Sequence, residues 1–220
     1  MDNKASVRKR IEEVGIVPVI RAHSHDEARF AAEAIQHAGI SIVEITMTVP
    51  GAIDVISELV RTSPELLVGA GTVLNVGSAR RCLDAGAQFL VSPGLKLETV
   101  EFAVKENVLM MAGALTPTEI MAASEAGADF VKIFPCANVG GASYIRALRG
   151  PFPDVPFVPT GGVNLETAAD FLRAGAAALG VGGELILKDA LKSRDRHKLH
   201  ETAAKYVAIV KAARERRAAD

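Results

Sequence analysis

Residues 41–72 read SIVEITMTVPGAIDVISELVRTSPELLVGAGT, and they contain two short apolar runs on either side of a segment with helical period. The run at 41–48 is rich in β-branched residues, which favour strands, and the run at 66–72 is short and mostly apolar, whereas apolar residues recur at helical spacing in 52–61. A strand, a helix and a second strand of this kind form a unit whose two strands lie parallel. The stretch therefore predicts an α/β protein.

The same alternation continues along the whole chain. Strand candidates lie at 16–22, 41–48, 66–72, 89–92, 109–112, 130–134, 157–160 and 177–181. Segments of helical period lie at 26–38, 52–61, 78–85, 98–107, 117–126, 142–148 and 165–174, with further helices at 4–14 and 195–217. Eight strand–helix units favour a (β/α)8 TIM barrel with an extra N-terminal helix, and a doubly wound open sheet is the alternative. Because no linker or low-complexity stretch interrupts the units, we expect residues 1–220 to form a single barrel domain.

Composition narrows the class of protein. Apolar residues make up 49% of the chain, but no apolar run approaches the roughly 18 residues that a membrane span needs. A net charge of −1 offers no bulk field for nucleic acid or for an anionic membrane. Two cysteines are too few for a disulfide framework, and the first residues are charged rather than apolar. These features predict a cytoplasmic globular enzyme or binding protein, with neither nucleic acid nor a membrane as partner.

Lys132 is the first candidate for chemistry, which in a barrel takes place where strands end and loops begin. By strand alternation Lys132 shares a face with Phe130 and Phe134. If that face lines the barrel, burial disfavours the charged amine and supplies a neutral nucleophile that attacks a ketone. The alternative is a lysine that points outward or is held in a structural ion pair.

Glu44 is the second candidate, in the middle of another predicted strand. Its side chain shares a face with Thr46 and Thr48, so that a carboxylate and two hydroxyl groups project together. A carboxylate in such a place can act as general acid and base. The alternative is that Glu44 only neutralises Lys132.

Two glycine-rich turns follow the seventh and eighth strands, and they contain Thr160, Gly161 and Gly162 and then Gly182 and Gly183. Barrels commonly bind phosphate at this place, because backbone N–H groups and a helix N-terminus converge there. A helix that begins near residue 165, with Asn164 as its N-cap, would supply that terminus. The alternative is two tight turns without a ligand.

Other polar residues give weaker signals. Arg21 ends the first strand and could hold a carboxylate or phosphate, or could be a solvated charge. The histidines form no cluster with carboxylates at strand ends, so we expect no catalytic metal. Cys136 is interpreted as a small loop residue and not as a nucleophile, because no histidine is placed to activate it.

Taken together, five segments resemble the 2-keto-3-deoxy-6-phosphogluconate (KDPG) aldolase family, in the same order and spacing over residues 11–186. The matching segments are Val43-Glu44-Ile45-Thr46, Gly69-Ala70-Gly71-Thr72-Val73-Leu74, Ser92-Pro93-Gly94, Phe130-Val131-Lys132-Ile133-Phe134-Pro135 and Pro159-Thr160-Gly161-Gly162-Val163.

The resemblance implies a homotrimeric class I aldolase without cofactors. Lys132 would form the Schiff base and Glu44 would act as general acid and base. The substrate would be KDPG, which is cleaved to pyruvate and glyceraldehyde 3-phosphate in the Entner–Doudoroff pathway. The alternative substrate is 4-hydroxy-2-oxoglutarate, or another 2-keto-3-deoxy acid that is unphosphorylated or of galactonate type. An isomerase, epimerase or decarboxylase without a covalent intermediate, and a silent sugar-acid binding protein, are rival hypotheses.

The resemblance also implies a binding pocket. Thr72 and Pro93 would border the carboxylate of pyruvate, Phe134 would form a wall, and the two glycine-rich turns would hold the phosphate. Some members carry an arginine at the position of Thr48, and others resemble this chain in having an arginine that matches Arg21. Many members have a phosphate-binding serine where this chain has Glu184. We expect Glu184 to point outward, because a buried glutamate beside phosphate would need a cation.

Overall fold

A computed structural model of the protein describes residues 4–219, and its centre is a barrel of eight parallel strands. The strands are β1 (Ile16–Ile20), β2 (Ile42–Thr46), β3 (Leu67–Gly71), β4 (Phe89–Val91), β5 (Leu109–Ala114), β6 (Phe130–Ile133), β7 (Phe157–Pro159) and β8 (Leu179–Val181). Each strand pairs with the next, and β1 also pairs with β8. A bridge between Thr160 and Gly180, with a 2.9 Å hydrogen bond from Ala177 N to Phe157 O, joins β7 to β8. The predicted (β/α)8 barrel is confirmed, and the open sheet is wrong.

Helices surround the barrel and fill most of the connections. They are α1 (Lys4–Val14), α2 (His25–His37), α3 (Ala52–Thr62), α4 (Val76–Asp84), α5 (Leu97–Lys105), α6 (Pro117–Glu125), α7 (Ala142–Arg149), α8 (Ala168–Arg173), α9 (Lys188–Ser193) and α10 (Arg196–Ala219). The short α9 was not predicted, and α8 begins later than 165. Over residues 4–219, no helix combines the length and the apolar character that crossing a membrane requires.

Local side-chain capping explains where several helices begin. The side chains of Ser24 and Asn75 accept hydrogen bonds from backbone N–H groups in the first turns of α2 and α4. At α6, Thr116 and Glu119 form a reciprocal capping box. Such caps satisfy N–H groups that have no partner inside the helix. The loops that lead from strands into these helices are thereby held in fixed positions.

The interior of the barrel is a separate apolar core. Its members are contributed by alternate positions of the strands and by α1, namely Val7, Ile11, Val17, Ile42, Leu67, Phe89, Val91, Leu109, Met111, Phe130, Val158 and Ala178. The larger core lies between the outer faces of the strands and the helices. The strands are buried on both faces, as is usual for parallel sheets.

Helix α1 covers the amino-terminal end of the barrel. Val7 and Ile11 are buried against the interior core, and Lys4 Nζ lies 3.0 Å from the carboxylate of Asp129, just before β6. Arg10 donates to the Ser41 hydroxyl, just before β2, at 3.2 Å. The barrel is therefore closed at this end, and only its carboxyl-terminal end can admit a ligand.

Candidate active site

Lys132 lies inside the barrel on β6, where strand alternation predicts it. It pairs in register with Gly113 on β5 and Val158 on β7, and only 3% of its surface is exposed. Phe130, two residues earlier, belongs to the interior core. The amine is therefore the polar end of a column of apolar side chains, at the level where the barrel opens.

Glu44 is buried on β2, four strands away from β6 and therefore on the opposite side of the barrel, but its side chain reaches the same point. Its Oε1 lies 3.7 Å from Lys132 Nζ, and the two side chains are 2% and 4% exposed. That separation is longer than a hydrogen bond. Glu44 Oε1 makes no hydrogen bond to any residue in the range 4–219. A buried carboxylate oxygen without a partner is rare, and it is free to accept a proton or hydrogen bond from a ligand.

The position of the Glu44 carboxylate depends on Gly71, at the end of β3. A β-carbon at Gly71 would overlap the carboxylate and lie 2.5 Å from Glu44 Cγ. Glycine at this position is required by this close approach. The hydroxyl of Thr46, predicted to project with the carboxylate, instead donates to Ile20 O at 3.0 Å and lies 2.8 Å from the hydroxyl of Thr48. Its hydrogen bonds serve the framework of β1 and β2.

A cavity of about 570 Å³ opens above Lys132. It lies at the carboxyl ends of β1, β6, β7 and β8, and its lining residues are Val19, Arg21, Lys132, Phe134, Thr160, Gly161, Gly162, Val163, Gly180, Gly182, Gly183 and Glu184. The Phe134 ring centre lies 5.6 Å from Lys132 Nζ, within the range of cation–π attraction. Arg21 is exposed at the opening of the cavity and forms no ion pair with another described residue. The cavity therefore has a reactive amine at its base and a free cation at its rim.

The turn after β7 forms one side of the cavity. Gly161 and Gly162 have φ angles of 86° and 79°, which favour glycine, and a β-carbon at Gly162 would overlap that of Ala137. The hydroxyl of Thr160 is buried and makes no hydrogen bond within the described chain. Gly180 leaves room for it, because a β-carbon there would overlap Thr160 Oγ1. The hydroxyl therefore lies against the backbone of β8 without a partner among the described residues.

The N-cap expected at this turn is present, although the regular helix begins later than predicted. The Asn164 side chain accepts from the backbone N–H groups of Glu166 and Thr167, each at 2.9 Å, and Ala168 N donates to Asn164 O at 2.9 Å. These are the hydrogen bonds of an N-cap. Regular helix α8 nevertheless begins at Ala168 and not near residue 165. The backbone of Gly161 and Gly162 lines the cavity beside this turn.

Thr72 and Pro93 lie at the same end of the barrel but do not line this cavity. Thr72 follows β3 with φ of 57°, an uncommon conformation for a threonine. The backbone of Pro93 crosses so close to Gly113, the neighbour of Lys132 in register, that a β-carbon on that glycine would overlap it. Val19 and Gly180 do line the cavity and were not predicted. Val19 could have been found from its shared face with Arg21.

A family model described as "KDPG and KHG aldolase" matches residues 7–202. The chain belongs to the KDPG and KHG aldolase family. The resemblance given by the five sequence segments is thereby confirmed.

Relatives within the family match most of the chain. The KHG/KDPG aldolase of Escherichia coli (strain K12) is 34% identical over 193 residues, 87% of this chain and 90% of the relative. The 2-dehydro-3-deoxy-phosphogluconate aldolase of Pseudomonas aeruginosa is 36% identical over 182 residues, 83% and 82% of the two chains. A crystal structure of the KDPG aldolase from Legionella pneumophila, with pyruvate captured as a covalent carbinolamine intermediate, matches with a TM-score of 0.84 and 31% identity, covering 90% and 96%.

The cysteine beside the cavity and the possible metal ligands also bear on the chemistry of this family member. Burial raises the pKa of Cys136 to about 12, so that its thiol is protonated at neutral pH. Among residues 4–219, no group of three or more histidine, cysteine, aspartate or glutamate side chains is placed to hold a metal ion.

Proposed function

We propose that the protein is a class I aldolase that cleaves KDPG to pyruvate and glyceraldehyde 3-phosphate, with Lys132 as nucleophile and Glu44 as general acid and base. The observation that carries the proposal is the buried Lys132 amine at the base of a cavity, 3.7 Å from the buried Glu44 carboxylate. The names of the relatives support the reaction. The carbinolamine in the Legionella protein supports a covalent step in its family.

The proposed reaction begins with attack of the Lys132 amine on the C2 ketone. Loss of water gives an iminium ion, which withdraws electrons from the adjacent carbon atoms. Glu44 takes the proton of the C4 hydroxyl, directly or through a water, and the C3–C4 bond breaks. The aldehyde leaves, the enamine is protonated at C3, and water hydrolyses the iminium to release pyruvate and the free amine. Because Glu44 Oε1 makes no hydrogen bond to a described residue, it is ready to accept the proton.

The rest of the substrate extends toward the glycine-rich turns in this proposal. Thr160, Gly161 and Gly162 on one side, and Gly182 and Gly183 on the other, surround its distal end. Gly183 has open space where a side chain would be, so a phosphate can approach the backbone closely. Thr72 and Pro93 are assigned to the carboxylate of pyruvate on the resemblance alone.

A second candidate substrate is 4-hydroxy-2-oxoglutarate. This compound is also called 2-keto-4-hydroxyglutarate (KHG), and the relative from E. coli is named for both KHG and KDPG. Arg21 at the rim could hold the second carboxylate of this shorter substrate as well as it could hold a phosphate. Comparing kcat/KM for the two substrates decides between them.

We also propose that the chain acts as one barrel domain in a homotrimer in the cytoplasm. Exposed apolar side chains on neighbouring parts of the barrel support an interface: Leu74, Leu97, Val104 and Met121 are 58%, 43%, 42% and 52% exposed. Both cysteines are free, as is usual in a reducing compartment. Light scattering of the purified protein and cell fractionation test these two proposals.

The experiment that tests the covalent step is reductive trapping. Pyruvate with borohydride should inactivate the enzyme and add a reduced pyruvyl group that mass spectrometry locates at Lys132. Lys132→Met should abolish trapping, whereas Lys96→Met, which changes an exposed lysine in the loop after β4, should not. Activity should survive EDTA. An adduct on another lysine, or none, contradicts the Schiff-base mechanism and favours proton transfer without a covalent intermediate.

A further inference from the structure

Glu184 lies in the turn after β8, in the wall between two cavities. It lines the cavity that contains Lys132, and it also lines an adjoining cavity of about 340 Å³, which Tyr206 lines as well. The turn is held by two 2.9 Å hydrogen bonds to Gly182 O, from the backbone N–H of Leu185 and of the residue after it. Since the backbone is fixed, rotation of the exposed Glu184 side chain is the simplest way for its carboxylate to reach either cavity.

Tyr206, on α10, has a polar group that needs a partner. The residue is fully buried, and its hydroxyl makes no hydrogen bond within residues 4–219. Burial, and after it the Glu184 carboxylate, raise the pKa of the Tyr206 phenol, so that it keeps its proton at neutral pH. A buried hydroxyl of this kind is a hydrogen-bond donor without an acceptor, which is unfavourable.

The neutral side chains around the adjoining cavity are less suitable acceptors. Asn164 Oδ1 already accepts from two backbone N–H groups and from the hydroxyl of Thr167. The Thr202 hydroxyl, which donates to a backbone carbonyl of its own helix at 2.8 Å, is a neutral acceptor. A carboxylate forms shorter and stronger hydrogen bonds than a neutral acceptor does. Of the two carboxylates that line the adjoining cavity, Glu184 and Glu166, Glu184 is the one that also lines the cavity of Lys132 and whose charge acts on the Tyr206 phenol.

We propose that Glu184 determines substrate specificity by taking one of two side-chain positions, and that Tyr206 is the positioning residue that selects between them. With the carboxylate bonded to the Tyr206 hydroxyl, the distal end of the cavity is left to Arg21 and the backbone of Gly161 and Gly162, which suits a phosphate dianion. When the Glu184 carboxylate turns into the cavity that contains Lys132, it repels a phosphate group. It then accepts hydrogen bonds from the terminal hydroxyls of an unphosphorylated 2-keto-3-deoxy acid. This inference rests on the proposed aldolase function.

The decisive variant is Tyr206→Phe, which removes only the hydroxyl. The measurement is the ratio of kcat/KM for the 6-phosphorylated acid to kcat/KM for the same acid without phosphate. Without the Tyr206 hydroxyl, the Glu184 carboxylate spends more time in the cavity that contains Lys132, so this ratio of kcat/KM values should fall by about tenfold. In a Glu184→Gln background the same change at Tyr206 should leave the ratio unaltered. Glu166→Gln is the matched control, because Glu166 lines the adjoining cavity but not the one that contains Lys132.

A merely structural role for Tyr206 would lower the melting temperature of the variant and leave the ratio unchanged, which overturns the proposal. An equal fall of the ratio in the Glu184→Gln background overturns it too. If Tyr206→Phe does not fold, Glu184→Ser decides: the ratio should change by less than about twofold, and a tenfold gain would show that the carboxylate already faces the cavity.

Trapping of pyruvate at Lys132 separates this inference from the proposed function. The trapped group is pyruvate alone, which does not reach the distal end of the cavity. If the parent protein is not trapped, the aldolase proposal fails. If parent and variants are all trapped at Lys132 but the ratio does not move, only the role of Glu184 and Tyr206 fails.

Discussion

Replacing Gly71 by alanine should disable the site while leaving the fold in place. The new β-carbon would overlap the Glu44 carboxylate and lie 2.5 Å from Glu44 Cγ, whereas ordinary contact begins at 3.4 Å. Glu44 must therefore retreat by about an ångström, and the end of its side chain by more. A misplacement of about 1 Å can reduce the rate roughly 10²-fold, and overpacking costs about 1–3 kcal/mol of stability.

The assay for Gly71→Ala is the rate of pyruvate release, measured beside the free energy of unfolding in urea. We expect kcat to fall about 10²-fold, which corresponds to about 2.7 kcal/mol of transition-state stabilisation. Gly69→Ala is the matched control: it lies two residues earlier on the same strand, and its β-carbon would overlap the ring of Phe89 instead of Glu44.

The control should therefore lose stability by a similar amount but keep most of its turnover. If Gly71→Ala turns over at the parental rate, turnover does not depend on the position of the Glu44 carboxylate, and this reasoning is refuted. An equal loss of turnover in both variants would show that the effect is general disruption of the barrel.

Three other predictions follow from single side chains. Glu44→Gln keeps the shape but cannot accept a proton, so pyruvate release should fall by roughly 10²-fold or more while borohydride trapping persists; parental turnover would mean that Glu44 is structural. Burial raises the pKa of Cys82 to about 11 and that of Cys136 to about 12, so both thiols stay protonated at pH 8 and should resist iodoacetamide until the protein unfolds; rapid labelling would contradict this. Hydrogen bonds from the backbone N–H of Leu115 and from Thr116 lower the pKa of Glu119 below its ordinary 4.5. The ionised Glu119 side chain therefore stabilises the fold above pH 4.5, and this stabilisation is lost as the pH falls through the lowered pKa. The unfolding free energies of Glu119→Gln and the parent should therefore differ at pH 7 by about 1 kcal/mol and converge in acid.

The barrel could be predicted from sequence because its signal is periodic. Strand alternation placed Lys132 on the interior face with Phe130, and the structure has both inside the barrel. The same rule placed Glu44 on an interior face, although it could not give the distance to Lys132. That distance depends on how strands far apart in sequence meet across the barrel.

The features that sequence did not predict depend on contacts between elements or on local competition. Regular helix α8 begins at Ala168 and not near residue 165, although Asn164 makes the hydrogen bonds of an N-cap there. The need for glycine at Gly71 comes from the carboxylate of Glu44, a residue on another strand. Neither the φ of 57° at Thr72 nor its position outside the cavity has a sequence signal of its own.

Because α1 covers the amino-terminal end of the barrel, the site has a single entrance. Val7 and Ile11 close the far end, so a molecule bound at Lys132 stands at the bottom of a blind passage. Whatever occupies the outer part of that passage has to depart before anything beneath it can. In the proposed reaction the aldehyde is the outer fragment, and the pyruvyl group, still joined to Lys132, is the inner one. The architecture thus enforces an order of egress, with the aldehyde first and pyruvate last, and it makes free pyruvate a direct competitor for the emptied enzyme.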